Sequence, residues 1–279
     1  MEINFKNYDG SGYNTIRDVL KKEFNISNSL ITKLKKHEAI LLNGTFSYVD
    51  KKIFEGDIVS VNFDYDEKND IVPTKQELHI LFEDEWLLVL SKPPGISVHP
   101  SIRHYENSLS NGVSYYYNEI NLHKKIHIVN RLDLGTSGIV IFAKTEYIQE
   151  ALKKQRDNKI FKKEYLAVLE GYIDNKTGTI DAPISRKENS IIERKIDFEN
   201  GRKSISHYEL IRNFIHKETN TKLSLVKYTL ETRQKSSAKI TFFVYRPPYT
   251  WRHFIFSSIS HYFSPSSARL QSIIYTSNN

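Results

Sequence analysis

Apolar residues recur at helical spacing in two stretches near the start of the chain. The first stretch contains Ile16, Val19, Leu20 and Phe24, and the second, which follows Ser27, contains Leu30, Ile31 and Leu34. Spacings of three and four residues put the apolar side chains on one face of a helix, and serine is a favoured helix N-cap. The pattern predicts two short helices with their apolar faces on a common core.

The pattern then changes to the alternation that is typical of strands. An apolar run at 39–42 leads into Asn43-Gly44, a dipeptide that favours a tight hairpin turn. After Gly56-Asp57, residues 59, 61 and 63 are apolar and residues 60 and 62 are polar. A small antiparallel sheet is therefore predicted after the second helix.

The second helix also carries Lys33, Lys35 and Lys36 around and beyond its apolar stripe. Two helices, the second of them basic, followed by a small sheet resemble the S4 RNA-binding module over residues 12–64. The resemblance implies that the three lysines bind RNA. The alternative is that they form an ordinary solvated helix face, which is common for charge runs of this kind.

Residues 65–76 are polar, contain Pro73 and predict a linker. Beyond it the pattern predicts a hairpin over 80–90, strands over 139–143 and 165–169, and a helix over 147–156. The fold class expected is α+β, with a small helix-and-sheet domain followed by a mixed, mainly antiparallel sheet with flanking helices over 77–232.

Composition narrows the chemistry. The chain has no cysteine, which excludes disulfides, thiolate nucleophiles and thiolate metal sites. The net charge is +7, but residues 1–232 hold 34 basic and 33 acidic residues, so global charge is weak evidence for RNA binding. No apolar stretch reaches the length of a membrane span and no signal segment is evident, so a cytoplasmic protein without a membrane partner is expected.

The most informative segment lies at 130–138, with the sequence NRLDLGTSG, between two apolar runs. On its own, Arg-Leu-Asp matches an ordinary surface ion pair. Three further segments stand in order around it: KPPGISVHP at 92–100, KEYLAVLEG at 163–171 and GRKSISHY at 201–208. Together the four segments resemble the motifs of the RluA-type pseudouridine synthases, and the resemblance covers residues 12–232.

The resemblance implies the roles of three residues. Asp133 is the catalytic carboxylate, Arg131 enters the RNA stack where the target uridine has left, and Tyr165 lies against the uracil. Alternation along an extended segment puts Arg131 and Asp133 on the same side. No cofactor is implied. Without the resemblance, Tyr165 reads as a core tyrosine, and His99 is read as structural because no second ligand stands at metal spacing from it.

The pattern breaks after Thr232. The family continues with Gly-Arg-x-His-Gln and a basic residue that pairs with the catalytic aspartate, whereas this chain has RQKSSAK at 233–239. Residues 233–279 contain no Gly, Asp or Glu. Reading the possible codons one nucleotide later permits the family text, so a one-nucleotide frameshift is one hypothesis and a divergent tail with its own function is the other. The tail is expected to supply no strands to the sheet, to leave Asp133 without its partner and to impair activity.

The sequence thus predicts an RNA pseudouridine synthase that acts as a monomer on structured RNA, with ribosomal RNA favoured over transfer RNA by the S4 analogy. One alternative is a non-catalytic RNA-binding protein that uses the second domain as a platform, and the altered tail favours it. A sugar hydrolase with paired carboxylates fits less well, because no second acid is placed beside Asp133.

Overall fold

The computed structural model describes residues 1–101, 105–158, 160, 162–186, 188 and 194–231, and the backbone of 255–258. The described residues form two bodies, each with its own apolar core. The N-terminal module comprises residues 1–63, and the second domain comprises residues 77–231 together with 255–258. Within the described residues no helix is both long enough and apolar enough to span a membrane.

The N-terminal module has two short helical regions and a four-stranded sheet. Its strands are β1 (Glu2–Lys6), β2 (Ile40–Leu42), β3 (Thr45–Phe46) and β4 (Ile58–Asn62), paired in the order β1-β4-β2-β3. Its helices are α1 (Ile16–Asp18), which continues as a π-helical turn (Val19–Glu23), and α2 (Asn28–Lys36). The two predicted helices and the predicted sheet are confirmed.

Local sequence explains the ends of these elements. Ser27 accepts a hydrogen bond from the amide of Leu30 and caps α2, as its position predicts. Asn43 and Gly44 have φ angles of 52° and 80°, which gives the tight turn between β2 and β3. Strand β1 lies before residue 12, where the S4-like module was expected to start, and that boundary stays a prediction. Strand β1 pairs along β4, and its side chains are only half-buried on one face, so the alternation gave a weak signal.

The second domain is built on a nine-stranded sheet with two helices. Its strands in chain order are β5 (Ile80–Glu83), β6 (Leu87–Lys92), β7 (His127–Ile128), β8 (Ser137–Ala143), β9 (Glu164–Glu170), β10 (Thr177–Asp181), β11 (Ile184–Arg186), β12 (Arg194–Ile196), β13 (Ile205–His216), β14 (Thr221–Leu230) and β15 (Ile255–Ser258). Its helices are α3 (Leu109–Glu119) and α4 (Glu146–Asp157).

The sheet order is β10-β13-β14-β9-β15-β8-β6-β5, with β7 paired to β8 and with β11 and β12 forming a separate hairpin. Every pairing in the large sheet is antiparallel except that of β15 with β8. The α+β class and the predicted strands and helix of this domain are confirmed.

Helix α3 and the segment before it were not predicted as a unit. Residues 65–76 have no regular structure, as expected of a linker, but the second half of this segment is bonded to α3. Asn69 donates to the Ser114 hydroxyl at 2.8 Å, and Gln76 donates to the Ser108 carbonyl at 2.7 Å. A Cβ at Gly112 would lie 2.4 Å from the Gln76 side chain, so a glycine that weakens the helix signal is needed for this contact.

The expectation that the tail supplies no strands is wrong for residues 255–258. They form β15, which lies between β9 and β8 and pairs with both. Backbone hydrogen bonding of this kind requires an extended segment and no particular side chains. Residues 233–254 and 259–279, which hold the rest of the altered tail, lie outside the described residues.

Candidate active site

The Arg-Leu-Asp loop, residues 130–136, connects β7 to β8 and presents two charged side chains on one side. Leu132 is buried in the core of the second domain, whereas Arg131 and Asp133 on either side of it are exposed. This is the alternation that the sequence predicted, and it places the guanidinium and the carboxylate on the solvent side of the same extended segment.

The two ends of the loop are held by hydrogen bonds. Asn130 is buried; its amide nitrogen donates to the Ile139 carbonyl at 2.9 Å, and its carbonyl oxygen accepts from the Ile141 amide at 2.9 Å. At the other end, the Thr136 amide donates to the Asp133 carbonyl at 3.0 Å and closes a turn. Asn130 therefore anchors the loop to β8 through both polar atoms of its side chain.

Lys92, the last residue of β6, contacts the Arg-Leu-Asp loop at Leu134. Its side chain is fully buried, and its ammonium donates to the carbonyls of Pro93 and Ile96 at 2.8 Å and of Leu134 at 3.2 Å. Burial lowers the pKa of Lys92 to about 8, and the negative charge of Asp133 opposes that lowering. The ammonium thus ties the Pro-Pro-Gly turn at 93–95 to the residue that follows Asp133.

A backbone bond reinforces the same contact, since the Gly95 amide donates to the Leu134 carbonyl at 2.8 Å. Gly95 has a φ of 85°, a left-handed conformation that favours glycine at this turn. Lys92 stands in the KPPGISVHP motif, but the sequence pattern predicted no role for it. The signal that could have found it is a lysine at the end of an apolar strand, directly before a Pro-Pro-Gly breaker.

Tyr165 of β9 lies in the sheet beside Tyr228 of β14. The two rings are stacked, with centroids 5.0 Å apart and an interplanar angle of 14°. Burial, followed by the negative charge of Asp133, raises the pKa of Tyr165 to about 12, and burial also raises the pKa of Tyr228. Both hydroxyls therefore stay protonated at neutral pH, near enough to Asp133 to be influenced by its charge.

Tyr228 was not singled out by the sequence. It stands directly opposite Tyr165 in the antiparallel pairing of β9 and β14, which only the strand register reveals. Its position in a strand with alternating buried side chains was the available signal, but that signal is shared by any core residue.

His99 and Arg131 are brought near each other, and burial followed by the Arg131 charge lowers the pKa of His99. Across the part of the chain that the structure describes, no three His, Asp or Glu side chains cluster in a way that could hold a metal ion. The chemistry available here is that of a carboxylate, a guanidinium, an imidazole and two aromatic rings.

Lys33, Lys35 and Lys36 lie in the N-terminal module on the exposed side of α2. Lys33 forms an ion pair with Glu146 of the second domain. The structure thus brings Arg131, Asp133 and Tyr165 into one region, and it keeps the three lysines on a separate body.

Comparisons with known proteins identify the family of this chain. A sequence model of the family described as RNA pseudouridylate synthase matches residues 86–242, more than half of the chain. The chain is 30% identical to the uncharacterized RNA pseudouridine synthase YhcT of Bacillus subtilis, over 80% of this chain and 72% of that protein. It is also 30% identical to the ribosomal large subunit pseudouridine synthase D of Xylella fastidiosa, over 74% of this chain and 62% of that protein.

Among solved structures, the human RNA pseudouridylate synthase domain containing 1 matches with a TM-score of 0.51 and 18% identity. The match covers 64% of this chain and 68% of that one, and it indicates a shared fold. Residues 86–242, which the family model matches, include the Arg-Leu-Asp loop, Tyr165 and Tyr228. From this match and the 30% identity to YhcT, the chain belongs to the RNA pseudouridylate synthase family, whose members are isomerases.

Proposed function

We propose that this protein converts uridine to pseudouridine in structured RNA, and that ribosomal RNA is its substrate in preference to transfer RNA. The observation that carries the proposal is the exposed Asp133 carboxylate on a loop anchored at both ends, beside the buried Tyr165–Tyr228 pair. The name of the Xylella fastidiosa relative, a ribosomal large subunit enzyme, favours ribosomal RNA.

The chemistry needs few groups. The bond between C1′ of the ribose and N1 of uracil breaks, the base turns and a new bond forms between C1′ and C5. The proton on C5 then leaves to solvent, and N1 takes up a proton. A carboxylate can begin this sequence either by attacking the sugar or by removing a proton from it, and neither route requires a cofactor. Asp133 is exposed and reachable by a nucleotide that has been extruded from its helix.

Arg131 and Tyr165 have complementary parts in this proposal. Arg131 is on the same side as Asp133, and its planar guanidinium stacks on the bases left behind by the extruded uridine. The Tyr165 ring, fixed by its stack on Tyr228, forms a wall against which the uracil lies, and its protonated hydroxyl is a hydrogen-bond donor.

The N-terminal module, in this proposal, is an S4-like RNA-binding head. Lys35 and Lys36 are exposed on α2 and supply phosphate contacts, as exposed lysines do in many RNA-binding proteins. Lys33 is engaged with Glu146, so its ammonium is less available to RNA than those of its two neighbours.

The altered segment after Thr232 lowers activity in this proposal. The family's Gly-Arg-x-His-Gln text is replaced by RQKSSAK at 233–239, and these residues lie outside the described residues. A one-nucleotide frameshift near Thr232 explains the replacement. A version of the chain restored to the shifted frame is then the more active enzyme.

The experiment uses structured ribosomal and transfer RNA that carry tritium at C5 of uridine. Release of tritium to water is measured with the chain as written and with the version restored to the shifted frame. Faster release by the restored version, and faster release from ribosomal RNA, are the expected results. Equal release by the two versions would contradict the impairment, and a preference for transfer RNA would contradict the substrate assignment.

Replacement of the carboxylate separates the enzyme from its rival, a non-catalytic RNA-binding platform. Asp133→Ala is expected to reduce tritium release to background while the affinity for RNA changes by less than about twofold, because the carboxylate is needed in the chemical step. Asp9→Ala, an exposed aspartate in the N-terminal module, is the matched control. Binding without release in every active-site-intact version would favour the platform.

A further inference from the structure

We propose that helix α4 fixes the N-terminal module against the Arg-Leu-Asp loop, and that Glu146, Gln149 and Glu150 are positioning residues for the isomerisation. The inference rests on the proposed function, and it adds a structural route between the RNA-binding head and the site of chemistry. Lys33 then serves mainly to place the module, and Lys35 and Lys36 serve to hold RNA.

Polar contacts join the start of α2 to the first half of α4. The Ser27 hydroxyl, which caps α2, donates to Oε1 of Glu150 at 2.7 Å. Nearly two turns further along α2, the Lys33 ammonium pairs with Glu146, whose side chain is only 18% exposed. The Lys33 side chain is 53% exposed, so salt screens this pair in part, although less than it screens a fully exposed pair.

A second set of contacts makes the interface more than an ion pair. Lys154 of α4 donates to Oδ1 of Asn25 at 2.9 Å. Phe63, at the end of the module's sheet, is buried and stacks on Tyr147 of α4 with ring centroids 5.2 Å apart. Trp86 meets the same Phe63 ring edge-on at 6.1 Å. The apolar core of the module therefore extends onto α4 and the start of β6, which restrains rotation of the module.

The same face of α4 also contacts strand β7, which leads into the Arg-Leu-Asp loop. The Gln149 amide donates to the Ile128 carbonyl at 2.8 Å, two residues before Asn130. A cavity of about 320 Å³ lies at this junction, lined by Ile128 and Val129 and by the side chains of Glu146, Gln149 and Glu150. Glu146 and Glu150, which contact the N-terminal module, and Gln149, which contacts β7, thus line the same cavity within two turns of α4.

The placement has a consequence for substrate choice. RNA held by Lys35 and Lys36 is presented to Asp133 at a separation that the α2–α4 contact sets. A module that swings freely would accept RNA shapes that differ widely in this separation, whereas a docked module favours those that match it. The contact is therefore expected to act on KM for structured RNA, and Gln149 on kcat.

The test begins with a measurement that needs no turnover. Because the chain has no cysteine, Lys51→Cys in the module and Lys217→Cys at the turn between β13 and β14 can carry a fluorophore pair. Energy transfer should report one narrow distance distribution for the otherwise unaltered chain. Glu146→Lys, which repels Lys33, should broaden it, and the exchanged pair Lys33→Glu with Glu146→Lys should restore it. Glu119→Lys, an exposed charge reversal at the end of α3, is the control and should leave the distribution narrow.

The same substitutions, without labels, are then assayed for RNA affinity and for tritium release. They are made in whichever releases tritium faster, the chain as written or the version restored to the shifted frame. Glu146→Lys should lower kcat/KM by about tenfold through KM, the exchanged pair should recover most of that loss, and Gln149→Ala should lower kcat with KM nearly unchanged. A broad distance distribution in the unaltered chain would overturn the inference. So would a broadened distribution in Glu146→Lys with unchanged RNA affinity and kcat/KM. Absence of turnover in every version would count against the proposed function, and the distance and affinity measurements would still decide the placement.

Discussion

The lysines of α2 and the lysine at the end of β6 show two opposite uses of the same side chain. Lys35 and Lys36 are exposed in the N-terminal module, where a charge interacts with partners through solvent. Lys92 is fully buried in the second domain and binds three backbone carbonyls. The comparison teaches that the charge of the exposed lysines is open to solvent and to screening by salt, whereas the charge of the buried lysine is used within the fold of the site.

The largest effect is expected from Lys92→Met, which removes the ammonium but keeps most of the side-chain volume. The carbonyls of Pro93 and Ile96 lose a donor, whereas the Leu134 carbonyl keeps the Gly95 amide, and a buried acceptor left without a partner costs about 1–3 kcal/mol. The Arg-Leu-Asp loop should loosen and tritium release should fall to near background. Thermal unfolding and the tritium assay measure the two effects.

Lys144→Met is the matched control for that prediction. Lys144 is also buried, and it binds Glu83 at 2.7 Å at the far end of β6 from the loop. It should lower the melting temperature while leaving kcat within about threefold of the unaltered chain, since only a supporting contact remote from the site is lost. Equal losses of kcat in the two variants would mean that stability alone explains the effect of Lys92.

A pH dependence follows from the buried lysine. The pKa of Lys92 is about 8 in the folded state, below the value of about 10.4 for an unfolded lysine. Between these values the unfolded chain binds the proton more tightly, so the contribution of Lys92 to the free energy of unfolding rises with pH and is at its lowest and constant below about pH 8. The rate should nevertheless fall above pH 8, because the ammonium beside the loop loses its charge.

The rate profile and the melting temperature, measured on the same samples from pH 7 to 10, check this split. Lys92→Arg keeps a charge throughout that range and should shift the alkaline fall in rate upward. A fall in rate that follows a fall in melting temperature at every pH would contradict the assignment to Lys92.

A smaller effect is expected at the exposed lysines. The double variant Lys35→Ala with Lys36→Ala should weaken RNA binding by about tenfold and reduce the slope of log affinity against log salt by about 1–2, as loss of two phosphate contacts requires. The kcat should be unchanged. Lys51→Ala with Lys52→Ala, two exposed neighbouring lysines outside α2, is the matched control, and an equal change there would remove the special role of α2.

The smallest change in salt dependence is expected from Lys33→Ala. The charge of Lys33 is paired with Glu146, so few counterions are released when RNA binds near it. Its removal should leave the salt slope unchanged, in contrast to Lys35→Ala, which should reduce it. A change in the salt slope as large as that of Lys35→Ala would indicate that Lys33 contacts RNA.

The difference between the two kinds of lysine also marks how far the sequence could predict the structure. Helix α2 was predictable because its apolar spacing and the Ser27 cap are local properties of the chain. The common side of Arg131 and Asp133 was predictable from alternation across Leu132. Both predictions need only neighbours within a few residues.

The remainder depends on contacts between distant parts of the chain. Lys92 meets Leu134, and Tyr228 meets Tyr165, only after the strands have found their register in the sheet. Helix α3 was not predicted because Gly112 weakens the helix signal in the sequence. The glycine allows the close approach of the Gln76 side chain. The contact between Lys33 and Glu146 could not be predicted either, because it joins two distant parts of the chain. From the sequence alone, a lysine on an amphipathic helix is expected to lie in solvent.

Strand β15 has one more consequence. It connects the β9 and β8 sides of the large sheet, yet its bonds to them are made by peptide groups that nearly every residue carries. The pairing of β15 with both neighbours therefore depends on an extended backbone of sufficient length at this place in the sheet. The chain thus holds β9 and β8 together with a segment that lies after the point where the motifs of the family end, at Thr232.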